Sequence, residues 1–201
     1  MKIHALCLSL LCLTGCSIAP LATPNGGSTV GRGETQVSAN LAPALAVNVA
    51  IGVSDNTDVG ITAEQQLNTS YSIWAKHSLL NQTQGPAVAL LGGVFKSGSG
   101  AHSRGYYSGP AFSYRSGKGE LYTTIRYNRV YWDGYDVLSD GENDELLSIF
   151  EVDDDVFYYW QADVGVHLHT SERVQFSLGA NCVALEGDTA CLPILGAGFK
   201  M

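Results

Sequence analysis

Along most of this chain apolar residues recur at every second position, and that period of two most narrows what it can fold into. From Val156 to Leu168 the even positions are Val156, Tyr158, Trp160, Ala162, Val164, Val166 and Leu168, while the odd ones include Gln161, Asp163, Gly165 and His167. Successive side chains of a strand leave opposite faces, so this stretch has one apolar face and one polar or small face. No helical period fits it. Leu45, Val47, Val49, Ile51 and Val53 alternate with Ala44, Ala46, Asn48, Ala50 and Gly52 in the same manner. Ten strands are predicted, over 34–41, 44–53, 57–66, 70–80, 86–96, 105–115, 119–132, 155–169, 173–185 and 191–201. Most are as long as a tilted strand must be to cross a bilayer.

The connections between these strands alternate in length. Ser54 to Asn56, Asn81 to Gly85, Ser116 to Lys118 and Thr170 to Glu172 are short, whereas Ser97 to Arg104 and Asp133 to Asp154 are longer. Proline cannot donate to a strand ladder. Pro20, Pro24 and Pro43 fall outside the strands and Pro86 and Pro193 near strand starts; only Pro110 falls inside one, which calls either for a bulge in the sixth strand or for a different register in that segment.

Composition agrees with a strand protein that meets lipid. Hydrophobic residues make up 45% of the chain and charged residues only 15%, below the roughly 25% of ordinary soluble proteins. The apolar run near the N-terminus is too short to span a bilayer as a helix, and no later apolar run approaches that length. The formal net charge is −8 and basic clusters are absent, which argues against nucleic acid as a partner.

Residues 34–201 resemble a small outer-membrane β-barrel in architecture and patterning. The resemblance implies an all-β, antiparallel, up-and-down membrane barrel of ten strands with both termini in the periplasm and the longer loops outside. Tyr106, Tyr107, Tyr131, Trp132, Tyr135, Tyr158, Tyr159 and Trp160 fall near strand ends, as aromatic girdles do, and Leu195, Ala197, Phe199 and Met201 alternate to the C-terminus. The alternative fold is a soluble periplasmic β-barrel or β-sandwich with its apolar face inward, which would make a lipid-tethered binding domain. The non-aliphatic face is so often Gly, Ala, Ser or Thr that a narrow, filled lumen fits better. Glu34, Asp58, Glu64, Glu120 and Arg126 are expected to supply a polar network inside it.

Candidate sites are few. Residues 133–155 hold Asp133, Asp136, Asp140, Glu142, Asp144, Glu145, Glu151, Asp153, Asp154 and Asp155, with no Lys or Arg. Of these, Asp140, Glu142, Asp144, Glu145, Asp153, Asp154 and Asp155 could bind a divalent cation through oxygen, although the order DGENDE is not that of an EF-hand. A solvated acidic loop is the simpler reading, and Leu146, Leu147, Ile149 and Phe150 within it could form a partner-binding patch. His167 and His169 share a face with Asp163, a candidate metal or acid/base cluster, while His102 and Ser103 stand in a loop without a G-x-S-x-G elbow. No catalytic residues, resident metal or cofactor are assigned. The expected role is a non-enzymatic envelope or surface interaction, with lipopolysaccharide or a protein as partner; the alternatives are a membrane-embedded enzyme acting on lipid or surface peptide and a narrow channel.

At the N-terminus Lys2 precedes an apolar run from Ala5 to Leu13, the layout of an export signal. Leu13, Thr14, Gly15 and Cys16 resemble the lipobox of bacterial lipoproteins. That resemblance implies cleavage of residues 1–15, acylation of Cys16 and, since Ser17 follows and not aspartate, anchoring in the outer membrane. Residues 16–33 are small, polar and rich in Gly and Pro, and read as a flexible tether. Loss of Cys7 and Cys12 with the signal leaves Cys182 and Cys191, expected to form a disulfide in an oxidising compartment. Cys16→Ala is expected to abolish incorporation of radioactive fatty acid by expressing cells; incorporation that persists would refute the lipoprotein assignment.

Overall fold

The computed structural model describes residues 20–22, 26–65, 69–97, 102–133, 155–185 and 188–201. It contains β1 (Thr35–Ala42), β2 (Leu45–Ser54), β3 (Thr57–Gln65), β4 (Thr69–Asn81) and β5 (Gly85–Ser97), followed by β6 (His102–Ser116), β7 (Gly119–Asp133), β8 (Asp155–His169), β9 (Val174–Leu185) and β10 (Asp188–Lys200). Each strand pairs antiparallel with its neighbours in sequence, and β1 pairs with β10, so the sheet closes as an up-and-down barrel. At one end lie the connections β2–β3, β4–β5, β6–β7 and β8–β9 together with the start of β1 and the end of β10; we call it the turn end. At the opposite, loop end β7 stops at Asp133 and β8 starts at Asp155.

The faces of the wall decide which solvent it meets. Leu45, Ile61, Ile73, Leu121 and Leu178 point outward and are more than half exposed. Asp58, Glu64, Arg126, Asn128 and Asn181 point inward, each at most 1% exposed. A barrel in water would reverse the two sets, so the wall is built for lipid and the soluble barrel or sandwich is excluded.

Small residues let the lumen fill. Trp74 lies across Gly60 on the adjacent strand and donates through Nε1 to Asn48 Oδ1 at 3.0 Å and Thr62 Oγ1 at 3.2 Å. The Tyr122 ring covers Gly165 and Gly179; a Cβ at Gly165 would stand 2.6 Å from the Tyr122 hydroxyl, so any side chain there displaces the ring. Tyr107 and Tyr159 also turn inward and join Trp74, Leu91, Phe95 and Val130 in the interior cluster, which corrects their expected place in a girdle. Tyr106, Tyr158 and Trp160 do face outward.

Two local expectations change. The register between β6 and β7 does not shift at Pro110; pairing with β7 is skipped at Gly109 and Pro110 while Pro110 stays paired to Leu90 of β5, so no bulge is formed there. Shifts occur instead at Asn40/Ala42, Gly52/Ser54 and Ser78/Leu80. Cys182 and Cys191 are direct partners on β9 and β10 and form the disulfide.

Candidate functional site: a lumen filled by the chain's own N-terminal segment

The segment expected to be a flexible tether is, in its described part, a luminal plug. Arg32 forms a parallel bridge to Gly52 at the turn end, and the Val30 N–H donates to both carboxylate oxygens of Asp58 at 3.1 Å. Further inside, the Gly27 N–H donates to Ser113 Oγ at 3.3 Å and the Gly26 N–H to Thr124 Oγ1 at 3.4 Å. Deepest are residues 20–22. The Leu21 and Ala22 amides donate to Glu64 Oε1 and Oε2 at 3.0 and 2.7 Å, Arg126 donates to the Pro20 carbonyl, and Gln161 Nε2 and Asn181 Nδ2 donate to the Leu21 carbonyl at 3.0 and 3.3 Å. Asp58 and Glu64 are six residues apart on β3, about 20 Å along the strand, so the segment climbs from the turn end well into the barrel.

The reason is electrostatic. Asp58, Glu64, Lys76 and Arg126 are all buried, and a buried charge needs partners. Lys76 Nζ lies 3.4 Å from Asp58 Oδ2 and donates to the Ser28 carbonyl at 2.5 Å. The carboxylate oxygens of Asp58 and Glu64 accept from main-chain N–H groups of Val30, Leu21 and Ala22, and Arg126 Nη2 donates to the main-chain carbonyl of Pro20. Arg126 also stacks on the Tyr107 ring at 4.8 Å. Asp58, Glu64, Glu120 and Arg126 thus form the interior network expected of them. Glu34 does not: it precedes β1 at the turn-end rim, half exposed, and pairs with Lys200 at the end of β10.

A polar cleft of about 130 Å³ opens toward the turn end. His169 Nε2 lies 3.0 Å from Glu120 Oε2, whose other oxygen accepts from Ser28 Oγ at 2.9 Å. His167 Nδ1 meets Ser177 Oγ at 2.9 Å and the ring stacks on Tyr122 at 4.2 Å between centroids. Asp163 is not part of this cluster. Four residues from His167, about 13 Å along the strand, it accepts a hydrogen bond from Asn181. Among the described residues no group of three His, Cys, Asp or Glu side chains could hold a metal. The cleft joins plug to wall through Ser28, and its imidazoles are held by separate partners, one by a carboxylate and one by a hydroxyl.

The other candidates fall elsewhere. Cys16 and the carboxylates Asp140, Glu142, Asp144, Glu145, Asp153 and Asp154 lie outside the described residues, and Asp155 opens β8 opposite Trp132. Ser103 is buried and tied to Ser97, whose Oγ accepts from the Ser103 N–H at 2.9 Å. Fold and lumen together define a small membrane β-barrel occupied by its own chain. No protein-family model and no curated protein matches the sequence. Among solved structures it is similar to Ail, the attachment invasion locus protein of Yersinia pestis, at 9% identity and a TM-score of 0.41, over 85% of this chain and 99% of that one. LpxR from Salmonella typhimurium is 11% identical with a TM-score of 0.44, over 90% of this chain and 78% of that one. Neisserial surface protein A is 14% identical with a TM-score of 0.37, over 84% and 95% respectively.

Glu64→Ala removes the acceptor of two buried amides, each of which then loses about 1–3 kcal/mol of hydrogen bonding. The Leu21 and Ala22 amides are expected to exchange with deuterium roughly 10- to 100-fold faster in the variant, while amides of β7 and β8 keep their protection. Unchanged exchange at Leu21 and Ala22 would contradict the luminal contact.

Proposed function

We propose that this protein is an outer-membrane lipoprotein, acylated at Cys16, whose closed barrel serves as a stem that presents its loop-end segments outside the cell in a non-enzymatic surface role. One observation carries this reading: the lumen is filled by residues 20–22 and 26–33, whose main chain is bonded to the wall from Asp58 up to Arg126. A barrel so filled is a poor conduit. The apolar outer wall supports insertion in a membrane, and the short connections at the turn end favour a periplasmic position for that end. The acidic residues from 133 to 155 then face water, because lipid cannot host unpaired carboxylates at that density. A divalent cation bridging them to the phosphates of lipopolysaccharide is the partner chemistry consistent with this position.

In planar bilayers the protein is expected to show no steady conductance, and Asp58→Asn combined with Glu64→Gln to produce intermittent openings as the plug loosens. A steady open channel from the unaltered protein would overturn the reading. Topology is checked separately: an epitope inserted at Gly141 is expected to bind antibody on intact cells, and one at Gly117 only after permeabilisation. If both require permeabilisation, the loop end does not face outside.

A further inference from the structure

Among the described side chains that point outward from the barrel wall, the only Lys, Arg, Asp or Glu residues are Lys96, Arg104 and Arg129. All three are cations in a chain of net charge −8, and all three stand together. Lys96 is the register partner of Arg104 across β5 and β6, while Arg104 and Tyr106 face Tyr131 and Arg129 across β6 and β7. The group lies near the loop end: Lys96 is one residue from the end of β5 and Arg104 two from the start of β6.

Basic side chains on the lipid face are tolerated near the interface and not at the bilayer midplane, and at that depth they attract the anionic groups of lipid heads. The surroundings suit such an anion attached to an apolar body. Arg129 is fixed by Tyr106, to whose Oη it donates at 3.3 Å, and lies over the rings of Tyr131 and Tyr158 at 4.9 and 5.4 Å. Phe95, Arg104, Gly105, Tyr106 and Tyr131 line a shallow recess of about 370 Å³ beside it. Below the cations, toward the middle of the wall, Val94 and Phe112 are exposed and offer a path for acyl chains.

We infer that the loop-end wall of β5–β7 binds a phosphate-bearing glycolipid of the outer leaflet, with Lys96, Arg104 and Arg129 on the phosphate and the Tyr106, Tyr131 and Tyr158 rings at the sugar level. The inference rests on the outer-membrane orientation proposed above. It adds a site on the outside of the barrel, apart from both the plug and the acidic loop.

The test titrates folded, detergent-solubilised protein with bisphosphorylated lipid A and counts bound lipid by native mass spectrometry. The triple variant Lys96→Gln, Arg104→Gln, Arg129→Gln is expected to weaken retention at least about tenfold, and dephosphorylated lipid A to bind the unaltered protein as weakly. A control that removes charge from the turn end, Lys118→Gln with Arg173→Gln, is expected to retain lipid A undiminished. Should the triple variant fail to fold, Arg104→Gln alone is expected to show a partial loss. Equal retention by the folded variant and the unaltered protein overturns the inference and leaves the proposed function standing. Displacement by inorganic phosphate in large excess would mean a free-anion site and overturn the lipid source. If the unaltered protein lacks heat-modifiable gel migration, the membrane barrel itself fails, and the inference with it.

Discussion

Everything in this molecule depends on closing the ladder between β1 and β10. Thr35 and Met201 exchange main-chain hydrogen bonds at 3.0 and 2.7 Å, and pairing continues through Val37 with Phe199 and Ala39 with Ala197. In hydrocarbon no water can satisfy an open edge, and each orphaned N–H or C=O costs several kcal/mol. Closure therefore permits the outward aliphatic face, because only a wall without edges can expose Leu45 or Ile73 to lipid.

Closure also creates an interior that must be filled. Ten strands enclose more space than the side chains facing inward occupy, since many of them are Ala, Ser, Thr or Gly. Large rings over glycines fill part of it, as Trp74 does over Gly60 and Tyr122 over Gly165 and Gly179. Residues 20–22 and 26–33 fill more, and they bring what the rings lack: main-chain donors and acceptors for buried Asp58, Glu64, Lys76 and Arg126. The polar network of the wall and the plug are thus one structure, since neither would be satisfied alone.

The wall was legible from the sequence because lipid imposes a strict period of two on every strand. All ten strands appear, and the errors lie at their ends: β6 begins at His102 and β10 at Asp188, where backbone pairing continues past the apolar alternation. The disulfide followed from compartment and count. The plug left no such trace, because its bonds to Asp58, Glu64 and Arg126 use N–H and C=O groups that nearly every residue carries. A segment held by its backbone needs only small, conformationally permissive residues, the same composition that marks a flexible linker. Its partners were visible as inward-facing charges; what they were paired with was not. Tyr107 and Tyr159 misled for a related reason, since each is adjacent to a tyrosine of opposite facing and proximity to a strand end does not decide parity.

The plug is covalently continuous with β1, and this sets the terms on which any other molecule can occupy the lumen. A tethered occupant competes as a ligand whose effective concentration is on the order of mM for a short linker, and it is present whatever the composition of the medium. A solute entering from the turn end would have to match the hydrogen bonds to Asp58 and Glu64 and also outbid an occupant that never diffuses away. The barrel is in that sense a receptor supplied with its own permanent competitor.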